Sequence, residues 1–564
     1  MGKEKFTIGI DYGTESGRAV VVRVRDGEEM GSAIVPYPDG VIDEKLPGGP
    51  RLGHDWALQN PRDYLWVVEK GVPKAMKQAR ARAEDVIGIG TDFTASSPLP
   101  TRRDGTPLCF LPQYRKQPHA WVKLWKHHAA QAEANRINEI GRERNEEFLR
   151  VYGGRYSSEW LFSKLLQIVN EAPEIYEATE RFIEAADWIV WQLNGQEKRN
   201  ACTAGYKAMW MKGQGFPSRE FFRSLHPRLE NVIEQKLGET YYPLGAKAGG
   251  LTAFWARKTG LREGTAVAIG NVDAHVAVPA CGVVEPGSLV MIMGTSICHL
   301  LLGRERQMVE GMCGTVEDGV VPGLWGYEAG QSAVGDIFAW YFEHGVPNSI
   351  HREARRLRSP FTEVLERRAR ELAPAQSGLL ALDWWNGNRS ILVDVDLSGL
   401  LLGMNLSTRA EEIYRALLEA MAFGTRQIIE AFESKGLAVK NLVACGGLPQ
   451  KNALLMQIFA DVTGREIRLA KRLLTCSALG SAMHAAVAAG RAAGGYDNIF
   501  DAAERMARLQ RRVYVPRPEA HQIYNLLFRE YQILHDYFGR GTNDVMKRLK
   551  ALRAGGPGAT VKPQ

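Results

Sequence analysis

FTIGIDYGTESGRAVVVRV, residues Phe6–Val24, sets two apolar, β-branched runs around Thr-Glu-Ser. Runs of this kind bounded by turn residues read as strands, so the stretch predicts a strand, a tight turn and a returning strand. Asp11 comes at the end of the first strand, and Gly13, Thr14 and Ser16 fall in the turn. The pattern returns at Ser288–Gly303, SLVMIMGTSICHLLLG, where Gly294, Thr295 and Ser296 separate two apolar runs. Recurrence of one hairpin about 280 residues further on implies two related halves.

Each half continues with alternating strand and helix signals, which predicts layered α/β domains. In the first half Arg62–Ala81 reads as a helix and Asp85–Phe93 as a buried strand. In the second half Ala410–Gly436 reads as a long helix, apolar at spacings of three and four and capped by Gly436. A strand at Asn441–Gly447, a helix at Asn452–Gly464, a strand at Glu466–Ala470 and an Ala-rich helix at Ala478–Gly490 follow. Pro36–Pro61, rich in proline and glycine, reads as a long surface loop. The expected division is 1–282, 283–494 and 495–564, the last a helical extension with a disordered Gly/Pro/Ala/Lys tail from about Ala554. Its aromatics Tyr524, Phe528, Tyr531, Tyr537 and Phe538 suggest a homodimer interface.

At 564 residues the chain exceeds one ordinary hydrophobic core, and its 45% hydrophobic and 24% charged composition is that of a globular protein. The net charge of +7 is spread along the chain with acids interleaved, which argues against a nucleic-acid partner. Seven cysteines are scattered without a C-x-x-C pair, so the spacing suggests neither a disulfide framework nor a zinc site. The first residues run straight into a strand without an apolar leader, and no apolar run is long enough for a membrane. The expectation is a cytoplasmic protein without a membrane partner.

A Gly-Thr hairpin can aim backbone N–H groups and hydroxyls at phosphate oxygens, while a strand-end acid such as Asp11 can hold a metal ion through water. Alone, the motif is equally an ordinary hairpin. Two of them, one per half, can face each other across a nucleotide. A third glycine-rich element, ACGGLPQKN at Ala444–Asn452, ends a strand and opens a helix. Glycine there admits a base or ribose to the backbone, and Asn452 is placed to hydrogen-bond it. Neither a dinucleotide fingerprint nor a P-loop is present. GNVDAHVAVPACG, Gly270–Gly282, puts one carboxylate, Asp273, in an apolar run. It can cap a helix, whose positive end would keep it ionised, and a fixed, charged carboxylate can also serve as a base. Pro279, in the second turn, predicts that this helix is short or bent.

In this order the three glycine-rich elements resemble the FGGY family of carbohydrate kinases, from about Phe6 to Gly490. The resemblance implies two actin-like, ribonuclease-H-like ATPase domains with a cleft between them, plus the helical C-terminal extension. GGRYSSEW (Gly153–Trp160), TAGYKAMW (Thr203–Trp210), EAGQSAVGDIFAW (Glu328–Trp340) and LDWWNGNR (Leu382–Arg389) look like family members that act on L-ribulose. That likeness implies ATP-dependent phosphorylation of the 5-hydroxyl of L-ribulose in L-arabinose breakdown, with ATP and Mg2+ as cofactors. It also implies that Asp273 is the base and touches the sugar, with Ala95, Trp125, Lys207 and Glu328 in the sugar pocket. Asp11, Gly13, Thr14, Ser16 and Arg18 fall at its first phosphate motif and Gly294, Thr295 and Ser296 at the second. Gly446, Gly447 and Asn452 fall at its adenosine motif, and Mg2+ at Asp11 and Asp273. The sequence departs from the pattern at LWKHH, where His127 stands in place of the aspartate of Leu-Trp-Lys-Asp-His.

Read without the resemblance, Lys207 snorkels from an aromatic cluster to the surface, Glu328 caps a following helix and Trp125 is core. The doublet His127-His128 has no further donor at metal-ligand spacing. The alternatives left open are a kinase of the same family for D-ribulose, ribitol, xylulose or glycerol, and an actin-like or chaperone-like ATPase.

Overall fold

Two seven-stranded mixed sheets, one from each half of the chain, carry the fold. The computed structural model describes residues 4–555. The first sheet is built from β1 (Phe6–Tyr12), β2 (Ser16–Arg23), β3 (Glu29–Pro36), β4 (Val86–Phe93), β5 (Lys247–Gly250), β6 (Ala266–Ala268) and β7 (Asn271–Val272). The second holds β8 (Ser288–Met293), β9 (Ile297–Gly303), β10 (Gly314–Glu317), β11 (Trp325–Gln331), β12 (Asn441–Cys445), β13 (Ile467–Ala470) and β14 (Leu509–Tyr514).

The order β3-β2-β1-β4-β6 in the first sheet matches β11-β9-β8-β12-β13 in the second. In each, three strands joined as antiparallel hairpins are followed by strands running parallel to the first. The repeat expected from the two Gly-Thr hairpins is therefore a repeat of topology.

The helices that position the site are α1 (Pro61–Ala79), α2 (Leu161–Glu171), α3 (Ala201–Lys207), α4 (Asp273–Ala280), α5 (Ala410–Glu433), α6 (Ala453–Thr463), α7 (Cys476–Ala489) and α8 (Pro518–Gly539). β1 is apolar on one face, where Ile8, Ile10 and Tyr12 enter the first core, and small on the other, at Thr7 and Gly9. The small face receives α7: a Cβ on Gly9 would lie 1.7 Å from the Ala478 carbonyl oxygen, and one on Gly90 of β4 2.1 Å from that of Ser481. A strand covered on both faces reads as a continuous apolar run. α7 thus follows β13 of the second sheet in sequence but packs on the first sheet. With α4 it fills a shared core in which Val20 and Val22 of the first sheet meet Val290, Leu300 and Val443 of the second.

The long helix stops at Glu433 rather than at Gly436: Ser434 is its C-cap, and Gly436 takes a left-handed conformation (φ 79°) two residues later. The Pro/Gly-rich segment is pinned more than a free surface loop would be. Ile42 bridges Leu58, Lys45 bridges Arg51, and Ile42, Leu46 and Leu58 are buried. The C-terminal extension contains β14 as well as helices. β14 pairs antiparallel with β13 at the sheet edge, where the exposed Arg511 and Arg512 hide the apolar alternation that marks a strand.

Tyr524, Phe528 and Tyr531 of α8 are buried against Phe423 of α5. Three of the five aromatics that suggested a dimer surface are thus used within the chain. The last helix is Val545–Gly555, and the remainder of the tail expected from Ala554 lies outside the described residues. No helix among the described residues is long and apolar enough to cross a membrane.

Candidate active site

The first hairpin turns through a bond from Gly13 N–H to the Ser16 carbonyl (3.0 Å), and the second through one from Gly294 N–H to the Ser296 carbonyl (2.9 Å). In the first, Thr14 is held from the side: its hydroxyl oxygen accepts from Trp125 Nε1 at 3.1 Å and its carbonyl from Gln59 Nε2 at 2.6 Å. Gly294 and Thr295 are exposed. Arg18, opposite Asp11 in the β1–β2 ladder, donates to the Leu474 carbonyl and so ties the first hairpin to the second half of the chain.

The third glycine element meets the second hairpin. Gly446 has φ 100°, its N–H donates to the Leu473 carbonyl at 2.8 Å, and a Cβ there would lie 2.3 Å from the Met293 carbonyl oxygen. Around Gly447 the space is open. Asn452, expected at a base or ribose, also serves the fold. Its side-chain oxygen caps α6 by accepting from Leu455 N–H (2.8 Å), and its amide donates to the Tyr414 hydroxyl (2.7 Å). Each end of the amide thus has one partner in the fold.

Asp273 opens α4 as its first residue, while Val272 holds the N-cap position without a side-chain bond. The expected cap is replaced by a local contact in which Asp273 Oδ1 accepts from the Ala274 N–H at 2.7 Å. The helix is short, with Pro279 in its second turn. Nor is the carboxyl held firmly ionised. Burial, then the negative charge of Asp11, push it up to about 7, outweighing the Ala274 bond. Asp11 is itself raised by burial, against the pull of Arg18.

A third carboxyl, Asp92 at the end of β4, pairs in register with Asp11. It is buried and raised well above the carboxylate range, first by burial and then by the negative charge of Asp11. The Ser481 hydroxyl of α7 donates to Asp92 Oδ2. Asp92 was missed in the sequence because an acid ending a buried strand looks like Asp11 without the turn glycines; its mark was its position at the end of GIGTDF.

Two of the residues expected in a sugar pocket, Lys207 and Glu328, belong to a cluster of opposite charges. Lys207, 2% exposed at the end of α3, donates to both oxygens of Glu328, at 3.1 and 3.0 Å. It neither snorkels nor leaves Glu328 free to cap a helix: Glu328 lies inside β11. His275, two residues after Asp273, places Nε2 3.2 Å from Glu328 Oε2, and Arg389 stands 3.7 Å from both Glu328 and Glu159. Burial would raise Glu328, but Lys207, His275 and Arg389 together hold it well below the usual range. His275, Glu159 and Arg389 all lie in the quoted blocks, yet no spacing rule singled them out.

Trp125 is half-buried rather than core, with its indole on Thr14. Ala95 is half-buried in the loop after β4, and that loop is fixed by Glu184, which accepts from Ser96 Oγ and Ser97 N–H, and by Lys164 donating to the Ser96 carbonyl at 2.7 Å. His127 is fully buried: its Nε2 lies 2.9 Å from Gln167 Oε1, and its Nδ1 accepts from Ala57 N–H at 3.2 Å. Burial and the cations Lys123 and Lys164 hold it neutral, so it supplies no negative charge in place of the aspartate.

For a divalent cation, Asp11 and Asp273 fit by charge, because each carboxylate is destabilised and Arg18 and Lys207 offset that only in part.

The description "FGGY family of carbohydrate kinases, N-terminal domain" matches residues 6–279, and its C-terminal counterpart matches 289–489. A curated protein of Halalkalibacterium halodurans named ribulokinase is 59% identical over 551 residues, covering 98% of each chain. One of the same name from Mycolicibacterium smegmatis is 50% identical over 555 residues, 98% of this chain and 97% of the other. Among solved structures, a gluconate kinase from Lactobacillus acidophilus superposes with TM-score 0.78 at 16% identity, covering 96% of this chain and 99% of that one. A xylulose kinase from Rhodospirillum rubrum gives 0.74 at 22%, covering 94% and 98%. At such identities these structures speak to the fold alone.

Proposed function

The chain belongs to the FGGY family of carbohydrate kinases, and from that premise we propose that it transfers the terminal phosphoryl group of ATP to the 5-hydroxyl of L-ribulose, giving L-ribulose 5-phosphate and ADP, as a cytoplasmic enzyme of L-arabinose breakdown. The name ribulokinase, carried by relatives 50–59% identical over nearly the whole chain, supports the choice of sugar.

The observation that carries the reading is Asp273. Its carboxyl is fixed at the start of α4 and poised at about 7, between the sugar cluster and Asp11. A sugar hydroxyl is a weak nucleophile, and a base works best when its pKa lies near the working pH. Asp273 takes the proton from the attacking hydroxyl as the oxygen–phosphorus bond forms. Lys207 and Glu328, locked to each other, present a donor and an acceptor to sugar hydroxyls, and Trp125 offers a flat wall to the C–H face. The two hairpins and the Gly446-Gly447 turn offer backbone N–H groups to the nucleotide. Asp11 and Asp273 would hold Mg2+, which when bound neutralises charge on the phosphates. Closure of the two halves over both substrates would exclude water.

Phosphorylation assays on a panel of L-ribulose, D-ribulose, ribitol, xylulose and glycerol test the reading. The highest kcat/KM is expected on L-ribulose; faster turnover of xylulose or glycerol sinks the choice of sugar.

A further inference from the structure

Cys281 at the C-terminal end of α4, Cys445 at the end of β12 and Cys476 at the start of α7 converge on one point in the core that joins the two halves. Their Sγ atoms all lie within 4.8 Å of one another, and those of Cys281 and Cys476 are 3.5 Å apart. Among the described residues this is the only group of three or more His, Cys, Asp and Glu donors close enough to share an ion. All three are buried among Ala277, Val278 and Leu479, and none is bonded to another as a disulfide.

The spacing selects the metal. Three sulfurs about 2.3 Å from a central ion stand roughly 4 Å apart in a trigonal plane, which lies between the 3.5 Å pair and the 4.8 Å ceiling observed. Structural Zn(II) takes four ligands, and no fourth imidazole, thiol or carboxylate joins the group. Soft thiolates at low coordination number suit Cu(I). We propose that Cys281, Cys445 and Cys476 form a three-sulfur site for a soft monovalent ion of the Cu(I) class, at the crossing of the two halves.

On binding, the ion forms bonds to three sulfurs, the thiol protons pass to solvent, and no electron is transferred. The three elements it joins are those that carry Asp273, lead into Gly446 and cover β1. An ion there couples the base, the nucleotide turn and the first sheet, and so slows turnover.

The test is titration of the reduced full-length protein with Cu(I), without oxygen, against the chelator bicinchoninate. One equivalent of copper should leave the chelator, X-ray absorption of the complex should show three sulfur neighbours and no nitrogen or oxygen, and Zn(II) should not compete. Cys445→Ala should weaken binding on the order of 100-fold or more, while Cys298→Ala, which removes the more accessible thiol, leaves it unchanged. Turnover of the loaded enzyme should fall several-fold and return when chelator is added in excess. Retention of all copper by the chelator, a two-sulfur or mixed-ligand spectrum, equal uptake of Zn(II), dependence on Cys298 or unaltered turnover on loading would overturn the proposal. The absorption spectrum of the unsubstituted protein decides the matter even where Cys445→Ala does not fold.

Discussion

Two groups of carboxyls lie around the start of α4, and they are in opposite states. On one side Asp11, Asp92 and Asp273 face one another with few cations, and all three are raised. On the other side Glu328 is gripped by Lys207, His275 and Arg389 and lies below its ordinary range. Burial penalises ionisation in both, so the difference comes from the neighbours. The acidic group stores repulsion that a cation or a proton relieves, which suits a place where charge moves during reaction. The balanced group holds fixed charges in fixed positions, which suits recognition of hydroxyls.

The sharpest way to break this contrast is Asp273→Asn, which keeps the shape and removes the base. A loss on the order of 100-fold to 10,000-fold in kcat is expected, read by steady-state phosphorylation of L-ribulose; a near-parental rate refutes the role of Asp273. On the balanced side, Lys207→Met strands the Glu328 charge and should cost about 3–5 kcal/mol, measured by urea unfolding. Adding Glu328→Gln to that variant should return at least half of the loss, and an unchanged midpoint would show that the cluster is not balanced by Lys207.

The pH dependence should separate the groups further. The raised pKa of Asp273 means that its protonated form favours folding, a contribution present below about pH 4 and lost as pH rises through about 7. Asp273→Asn should therefore gain about 1–2 kcal/mol over the parent at pH 8 relative to pH 5 in the absence of ligands. In the parent, kcat/KM should rise with pH through about 7 as the base ionises; a profile flat from pH 5.5 to 8.5 contradicts the poised carboxyl. The smallest effect is expected for Asp92→Asn. It replaces a carboxyl whose ionisation burial and Asp11 both disfavour, so stability at pH 7 should change by less than about 1 kcal/mol and the kinetic midpoint should stay in place.

Much of this was legible in the chain, because hairpin, strand and helix signals are local. The two Gly-Thr hairpins announced the repeat, and the lone acid in GNVDAHVAVPACG marked the carboxyl that opens α4. Strand β14 escaped notice because the consecutive exposed Arg511 and Arg512, which fall on opposite faces of this edge strand, break the apolar alternation. Asn452 was read toward a ligand because a glycine turn stands before it, and the partners Leu455 and Tyr414 that its amide finds in the fold were not legible. Arg389 and His275 could not be singled out, since a charge is informative only once its partner is known.

By itself the sequence determined the doubled α/β architecture and the identity of the chemical groups, since periodicity and turn chemistry act over a few residues. Tertiary structure alone decided the charge each group carries and which distant residues share a site. α7 lies on the sheet of the other half because glycines on β1 and β4 leave room for its backbone. That packing brings Ser481 to Asp92 and Cys476 to Cys281. Desolvation, Coulomb interaction and metal geometry depend on distance in space, and distance along the chain does not encode them.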